Sequence, residues 1–507
     1  MIERDRFLGA IEKLVHGPLR EALGFTIERS IPYYRGIAGY MIDIPLMWTR
    51  RTRFPVLFIA YDHNSADVLT DIEKQVQASK STSYFALLIV VPTTSGTGNE
   101  ANELRLRVQN SVYRNDFVVL DQQLLASIIA RSSTDRLIEI ILDQGVEIST
   151  LSPYVVRGPV PPNMFFGREG EIKTISQAIH HANFALVGGR RIGKSSILQR
   201  LDHLLSKDRR YHARYLNCED IFEPAELIPI TAALLGDNTE DQRSDADSLA
   251  HQYRQIVDRA RRRHEGIQLV LLMDEVDQLL SFDAEGRYGR PLFKTFRALA
   301  HEGQCSFVFG GSKSLHAALH DPQSPFFNFC QDIALRPLAE RSVAEIVSRP
   351  MNQLGIQLLD EESLIDRMIA ITSCHPSLVQ WLCDRLVRTT STRRIAVQDL
   401  EDVASERAFQ DYFLETAWGD ATPLEKLVSI LPNEPVFRLD DLYAAAARFG
   451  IDEKRAIRNA LGTLELYALI QREGGAYRYS LKQFPRIVQE SEEVHTLVEG
   501  WQRRMEV

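Results

Sequence analysis

Residues 185–198 read ALVGGRRIGKSSIL, an apolar run that enters a glycine-rich turn and leaves it through a lysine and two serines. The segment fits GxxxxGK[ST] as Gly188, Gly189, Arg190, Arg191, Ile192, Gly193, Lys194 and Ser195. Its flanks matter as much as the match. NFALVG (183–188) has the length and apolarity of a buried strand, and KSSILQRLDHLL (194–205) has helical spacing, so the glycines fall at a strand-to-helix turn. Free N–H groups at a helix start attract phosphate, and glycines let the backbone close around it with no Cβ in the way. Lys194 then reaches the β- and γ-phosphates, Ser195 ligates Mg2+, and Ser196 lies beside them. The bland alternative is a chance glycine turn before a helix.

A second motif argues against chance. IQLVLLMDEVDQLL (267–280) is an apolar strand that ends in Asp274 and Glu275. A buried strand that delivers two acids at its end is costly unless they have partners. Asp274 is expected to hold Mg2+, and Glu275 to polarise the attacking water, with Lys194 as the other catalytic group. A third apolar strand, CSFVFGGS (305–312), ends at Ser312, where a residue sensing the γ-phosphate would sit; the alternative is a plain turn serine.

Around this core, 507 residues are too many for one hydrophobic core, so several domains are expected. A net charge of -9 excludes a broadly basic surface, and nucleic-acid contacts would have to be local. The five cysteines form no CxxC pair, so neither a zinc site nor a disulfide framework is indicated, and a reducing cytoplasm fits best. The N-terminal MIERDRFLGAIEKLV carries acids and lacks a signal core, and no apolar run reaches membrane-spanning length. Prolines crowd STLSPYVVRGPVPPN, so 149–163 reads as a linker. The expected layout is an N-terminal α/β domain (1–148), the linker, a P-loop core with a parallel sheet (164–335), a helical lid (336–420), and a winged-helix domain with a C-terminal helix (421–507).

The motifs MFFGREGEI (164–172), GGRRIGKSSIL, LLMDEVD, FGGSKSL and SPFFNFCQDIALRPL (324–338) occur in an order that resembles the STAND/AAA+-type ATPases, in particular their archaeal-ATPase-like branch. The resemblance covers about residues 160–485. It implies ATP and Mg2+ as cofactors and an ATP/ADP switch that changes domain arrangement or oligomeric state. It also implies that Phe166, Gly167 and Arg168, with Pro376 of the CHP stretch (Cys374, His375, Pro376), help to hold adenine. The family's usual glycine is Cys374 here, and His375 has a second reading as a satisfied helix-start histidine. Arg336 and Arg349 are the arginine-finger candidates. Prokaryotic proteins of this layout are often placed in antiviral systems.

TPLEKLVSILP, RLDDLYAAAARFG and IDEKRAIRNALGTLELYALI read as three helices, and QREGGAYRYSL as a hairpin turning at Gly474-Gly475. In this winged-helix pattern Lys454, Arg455 and Arg458 on the third helix, with Arg472, Arg478 and Lys482 on the wing, suit contacts to DNA phosphates. Asp452, Glu453 and Glu465 dilute that charge, and packing on the ATPase is the alternative. The cluster Arg259–Arg263 reads as a solvated helix end. In the N-terminal region, strands GYMIDIPLMW, FPVLFIAYD, YFALLIVV and DFVVLD, with the helix ADVLTDIEKQVQASK after the second, loosely resemble a restriction-endonuclease-like fold. Such a fold needs an acid, then acid-x-lysine, around a metal. Asp43 is the first candidate. Ala60-Tyr61-Asp62 and Asp62-His63-Asn64 both lack the lysine, which Lys74 would have to replace, so a degenerate nuclease fold used for recognition or assembly is expected. Three functions compete: a STAND-class switch, a DNA-binding AAA+ ATPase of origin-recognition-like layout, and an ATP-regulated metal-dependent nuclease. Candidate partners are duplex DNA, a protein trigger or effector, and further copies of the chain.

Overall fold

A computed structural model describes residues 2–44, 53–60, 67–79, 85–91, 99–132, 134–237, 248–419, 421–432, 434–491 and 495–499. The chain divides into two compact units. The first comprises Met1–Val155, Val347–Glu361 and Cys383–Asp399, and the second Val156–Ile346, Glu362–Leu382 and Leu400–Val507.

The first unit holds a sheet of β1 (Thr26–Tyr34), β2 (Ile37–Asp43), β3 (Arg53–Ala60), β4 (Ala86–Val91) and β5 (Phe117–Leu120), paired in that order. The pairs β1–β2 and β2–β3 are antiparallel, and β3–β4 and β4–β5 are parallel. The helix Val68–Ala78 makes the crossover between β3 and β4. RFPVLFIA and ALLIVV are apolar almost throughout because both faces of these strands are covered. The edge strand β1, TIERSIPYY, is mostly exposed and carries no apolar alternation, so no sequence pattern announced it. Two stretches far along the chain add the short parallel pair β11 (Gln357–Leu358) and β12 (Arg394–Ile395) to this unit. Two-residue strands leave no period to read, and the lid region had read as helical only. The end of the first unit is packed despite its prolines: Tyr154 is fully buried and donates to the Val347 carbonyl at 3.3 Å, and the Ser152 hydroxyl bonds Asp384 at 3.2 Å.

The second unit is built on a parallel sheet of β6 (Asn183–Val187), β7 (Tyr211–Asn217), β8 (Gln268–Asp274), β9 (Cys305–Gly311) and β10 (Cys330–Ala334), in the spatial order β10-β6-β9-β8-β7. Along β8, Leu269, Leu271 and Met273 enter one core with Tyr253, Phe293, Phe296 and Phe307, whereas Val270 and Leu272 enter the other with Ile197, Leu198 and Leu201. This two-sided burial makes the strand read as one apolar run. All carboxyl ends of the strands emerge on one edge, where ligands bind in open α/β sheets. The C-terminal module has helices Pro423–Ile430, Leu439–Ala447 and Lys454–Leu466. It also has an antiparallel sheet in the order β13 (Val436–Arg438), β15 (Ala476–Tyr479), β14 (Ile470–Glu473). A Thr422–Glu425 capping box starts the first of these helices. Gly474 and Gly475 turn the β14–β15 hairpin at φ 56° and 89°. In the basic helix Leu249–Arg263, Arg259 and Arg263 each hold buried Asp237 at 2.8 Å, while Arg261 and Arg262 stay exposed. Among the described residues no helix is long and apolar enough to cross a membrane.

Candidate nucleotide-binding site

The strand β6 ends at Val187, and the helix Lys194–Leu205 begins seven residues later in sequence. The intervening loop turns through left-handed backbone at Arg191 (φ 59°) and Gly193 (φ 109°). Lys194 is only 5% exposed, and its Nζ donates to the carbonyls of Gly188 and Gly189 at 3.1 Å each. A buried ammonium whose hydrogen bonds, among the described residues, go to two neutral carbonyls at a helix N-terminus is an electropositive cradle that fits a phosphate.

Facing it, Asp274 closes β8 and is 1% exposed. It accepts from the Tyr215 hydroxyl at 3.0 Å and from the Glu275 N–H at 3.1 Å, with no ion pair among the described residues. A buried carboxylate left without a cation fits a divalent ion, and Ser195, half-buried on the first helical turn, fits as a second ligand. Glu275 is held at φ 51°, a left-handed conformation that costs on the order of 1 kcal/mol or more and concentrates at functional sites. Burial raises its carboxyl above the usual range, while the Lys194 charge opposes that rise.

The two glycines of FGGS now have a physical reason. A Cβ at Gly310 would lie 2.6 Å from Asp274 Oδ1 and 2.9 Å from Leu198 Cδ1, and one at Gly311 would lie 2.7 Å from Asp277 Oδ2. Gly310→Ala should therefore displace the Asp274 carboxylate, with about 1–3 kcal/mol lost to overpacking. Urea unfolding, together with nucleotide titration with and without Mg2+, checks this; unchanged stability and unchanged Mg2+ dependence would contradict it. Asp277, the third acid of DEVD, caps the helix Lys313–His320. It accepts from the N–H groups of Ser312 (2.7 Å), Ser314 (2.8 Å) and Leu315 (3.2 Å). Ser312 is thus fixed by its backbone at the end of β9.

On the side assigned to adenine, Gly167 (φ 72°) is closed in by Leu338 and Ser342, and the Leu338 N–H donates to the Cys374 carbonyl at 3.0 Å. Leu338 therefore brings the Phe166–Arg168 segment next to Cys374, His375 and Pro376. Arg168 is buried and braces the loop, donating to the carbonyls of Ile192 (3.1 Å) and Arg336 (2.7 Å) and pairing with Glu171 at 3.0 Å. Cys374 sits at φ 61°, a conformation that suits the glycine expected there. His375 is fully buried, and burial, followed by the Arg168 and Arg191 charges, pushes its pKa down to about 3. It is a neutral imidazole whose Nδ1 lies 3.3 Å from the Ser377 hydroxyl. The Ser196 hydroxyl accepts from the Val160 N–H at 3.2 Å, so it anchors the segment before the loop.

The C-terminal module is docked on this loop. A Cβ at Gly189 would lie 2.9 Å from Tyr467 Cα and 3.0 Å from its carbonyl oxygen. In the helix Arg407–Trp418, Glu415 accepts from Arg191 at 2.8 Å and faces Arg190 at 3.7 Å, and Arg191 stacks over the Tyr412 ring at 4.6 Å. Lys313 pairs with Glu425 of the capping box, and Arg336 donates to the Glu465 carbonyl at 3.3 Å. Arg349 falls in the 347–361 stretch of the first unit.

Lys454, Arg455 and Arg458 are exposed along the helix Lys454–Leu466, with Lys454 over the Tyr443 ring at 5.1 Å. Arg472, Arg478 and Lys482 are exposed too, but line a cleft beside Arg336. In the first unit, Asp43 pairs with Arg53 at 3.5 Å and Lys74 with Asp71 at 3.9 Å, while Tyr61, Asp62, His63 and Asn64 lie outside the described residues. Among the described residues, no three His, Cys, Asp or Glu side chains are grouped to hold a metal.

The family model described as Novel STAND NTPase 1 matches residues 160–405. That stretch, just under half of the chain, is similar to a family of STAND NTPases, and it contains both the phosphate loop and the Asp274–Glu275 strand end. Comparison with curated proteins yields no match. Among solved structures, the chain is similar to a Walker-type ATPase of Pyrococcus abyssi at 15% identity, covering 66% of this chain and 99% of that one, with a TM-score of 0.49. It is also similar to the ORC2 protein of Aeropyrum pernix in ADPNP–ADP complexes at 11% identity, covering 68% and 97%, with a TM-score of 0.47.

Proposed function

We propose that the protein is an ATP-hydrolysing switch in which the phosphate loop and the C-terminal module sense each other directly. The observation that carries this reading is the contact of Gly189 with the Tyr467 backbone, reinforced by the hold of Glu415 on Arg191. In this reading the loop N–H groups and Lys194 bind the β- and γ-phosphates of ATP, and Ser195 and Asp274 hold Mg2+. Bound there, Mg2+ would neutralise charge on the phosphate oxygens. Glu275 orients and polarises the attacking water, and Tyr215 keeps Asp274 aimed at the loop. Gly167, Leu338 and Pro376 border the base. Because both loop arginines engage the helix Arg407–Trp418, a loop that closes on a triphosphate pulls on the connection to the C-terminal module.

The test is hydrogen exchange on the full chain without nucleotide, with ADP, and with a non-hydrolysable ATP analogue. Protection in 407–418 and 463–470 should differ between the two nucleotides. Equal protection in both, with nucleotide shown to be bound, would overturn the switch.

The exposed Lys454, Arg455 and Arg458 favour a second reading. None has an ion pair among the described residues, and three cations on one helix suit a DNA backbone. In that reading ATP gates duplex binding, and ATP turnover rises when duplex DNA is added.

A further inference from the structure

The hairpin cations assigned to DNA from sequence lie elsewhere than those of the helix. Arg472, Arg478 and Lys482 line a cleft of about 900 Å³ together with Arg336, and the acids there are Glu340 and Glu465. Four cations thus face two carboxylates. Among the described residues Arg472 and Lys482 have no ion pair, Arg478 meets exposed Glu473 at 3.1 Å, and Arg336 donates to the Glu465 backbone carbonyl without an ion pair. Like charges gathered in a concavity repel one another unless an anion joins them.

The walls are fixed in place. The Lys482 N–H donates to the Ser373 hydroxyl at 3.0 Å, the Ser480 N–H to the Leu469 carbonyl at 2.8 Å, and the Leu338 N–H to the Cys374 carbonyl at 3.0 Å. Ser373 and Cys374 hold consecutive left-handed conformations, φ 48° and 61°, at about 1 kcal/mol or more each. That strain places the Ser373 hydroxyl on the backbone of Lys482. The cleft floor carries apolar groups such as Leu338 and Tyr479 beneath the cations, which is the composition of a small-ligand site, and its volume suits a mononucleotide. A duplex is read by convex elements that enter its grooves, and this surface is concave.

We infer that this cleft is a second anion site, which shares Leu338 and Cys374 with the base side of the nucleotide site but none of the phosphate loop, and which takes a small ligand bearing a di- or triphosphate. Its walls come from the exit of β10, from the Ser373–Cys374 turn and from the β14–β15 hairpin, so a ligand bound there ties the C-terminal module to the NTPase core. The site is a place where a soluble phosphate compound would hold the module in its docked position. It stands whether or not the phosphate loop hydrolyses ATP.

The test uses the full chain carrying Lys194→Ala, which removes the phosphate-loop anchor, titrated calorimetrically with pyrophosphate, with ADP and with a short DNA duplex. One equivalent of pyrophosphate or ADP should bind, and adding Arg472→Glu and Lys482→Glu should weaken it by about tenfold or more. The alanine pair Arg472→Ala and Lys482→Ala should weaken it less, which separates lost attraction from misfolding. No binding to Lys194→Ala, or binding indifferent to both pairs, would overturn the site. Duplex that displaces pyrophosphate and is itself lost on charge reversal would replace it with a DNA-binding wing. If pyrophosphate binds Lys194→Ala while the wild type shows no turnover, the second site stands and the hydrolytic switch falls.

Discussion

Glu275→Gln should lower ATP turnover by about a hundredfold or more while leaving nucleotide affinity within about threefold of wild type. The substitution keeps the size of the side chain at a strained backbone position and removes only its charge and basicity. Glu275 stands one residue beyond Asp274, at the end of β8, and its electrostatic neighbours include Lys194, Asp274, Asp277 and Glu219. A carboxylate pressed among other acids and partly desolvated is a better proton acceptor than one in water. Lys194→Ala should behave in the opposite sense and lose binding first, because its Nζ is the buried cation of the loop. Single-turnover hydrolysis with radiolabelled ATP, beside titration with a fluorescent ADP, separates the two. Wild-type turnover by Glu275→Gln would remove this residue from the chemistry.

Much of this site was readable because its pieces lie on buried parallel strands. β6 and β8 are covered on both faces, so each reads as an unbroken apolar run, and the polar residues that interrupt the run mark where it leaves the core. Gly188–Ser195 and Asp274–Glu275 were legible for that reason. Tyr215 was not, since its role depends on the pairing of β7 with β8 that sets Asn217 opposite Asp274, and register is absent from a linear pattern. The glycines at 310 and 311 were visible, but their purpose, room for two carboxylates, needs the neighbouring strand. Arg190 and Arg191 read only as variable positions in a loop motif; their partner Glu415 is more than two hundred residues away. The edge strand β1 failed for another reason, because an exposed strand of mixed polarity looks like a loop.

Gly189→Ala should release the C-terminal module even without nucleotide. The added methyl would meet Tyr467 Cα at 2.9 Å and its carbonyl oxygen at 3.0 Å, and backbone atoms cannot swing aside as a side chain can. The phosphate loop is the more firmly held partner. It continues β6, an inner strand of the sheet, Lys194 bonds two of its carbonyls, and Arg168 bonds a third at Ile192. Tyr467 follows a helix end in a module joined through Gly419 and the 421–422 segment, so the module is the part that yields. A clash of about 2 kcal/mol would lower the docked-to-open ratio about thirtyfold. Gly462→Ala is the control, because it lies on the same helix with open space around it and should leave docking intact. Hydrogen exchange and small-angle scattering on the nucleotide-free chain read the difference: faster exchange in 407–418 and 463–470 with a larger radius for Gly189→Ala, and neither for Gly462→Ala. Equal protection in the two variants would mean that the contact with Tyr467 does not hold the module on the loop, and the coupling would then have to run through Arg191–Glu415, Lys313–Glu425 and Arg336–Glu465.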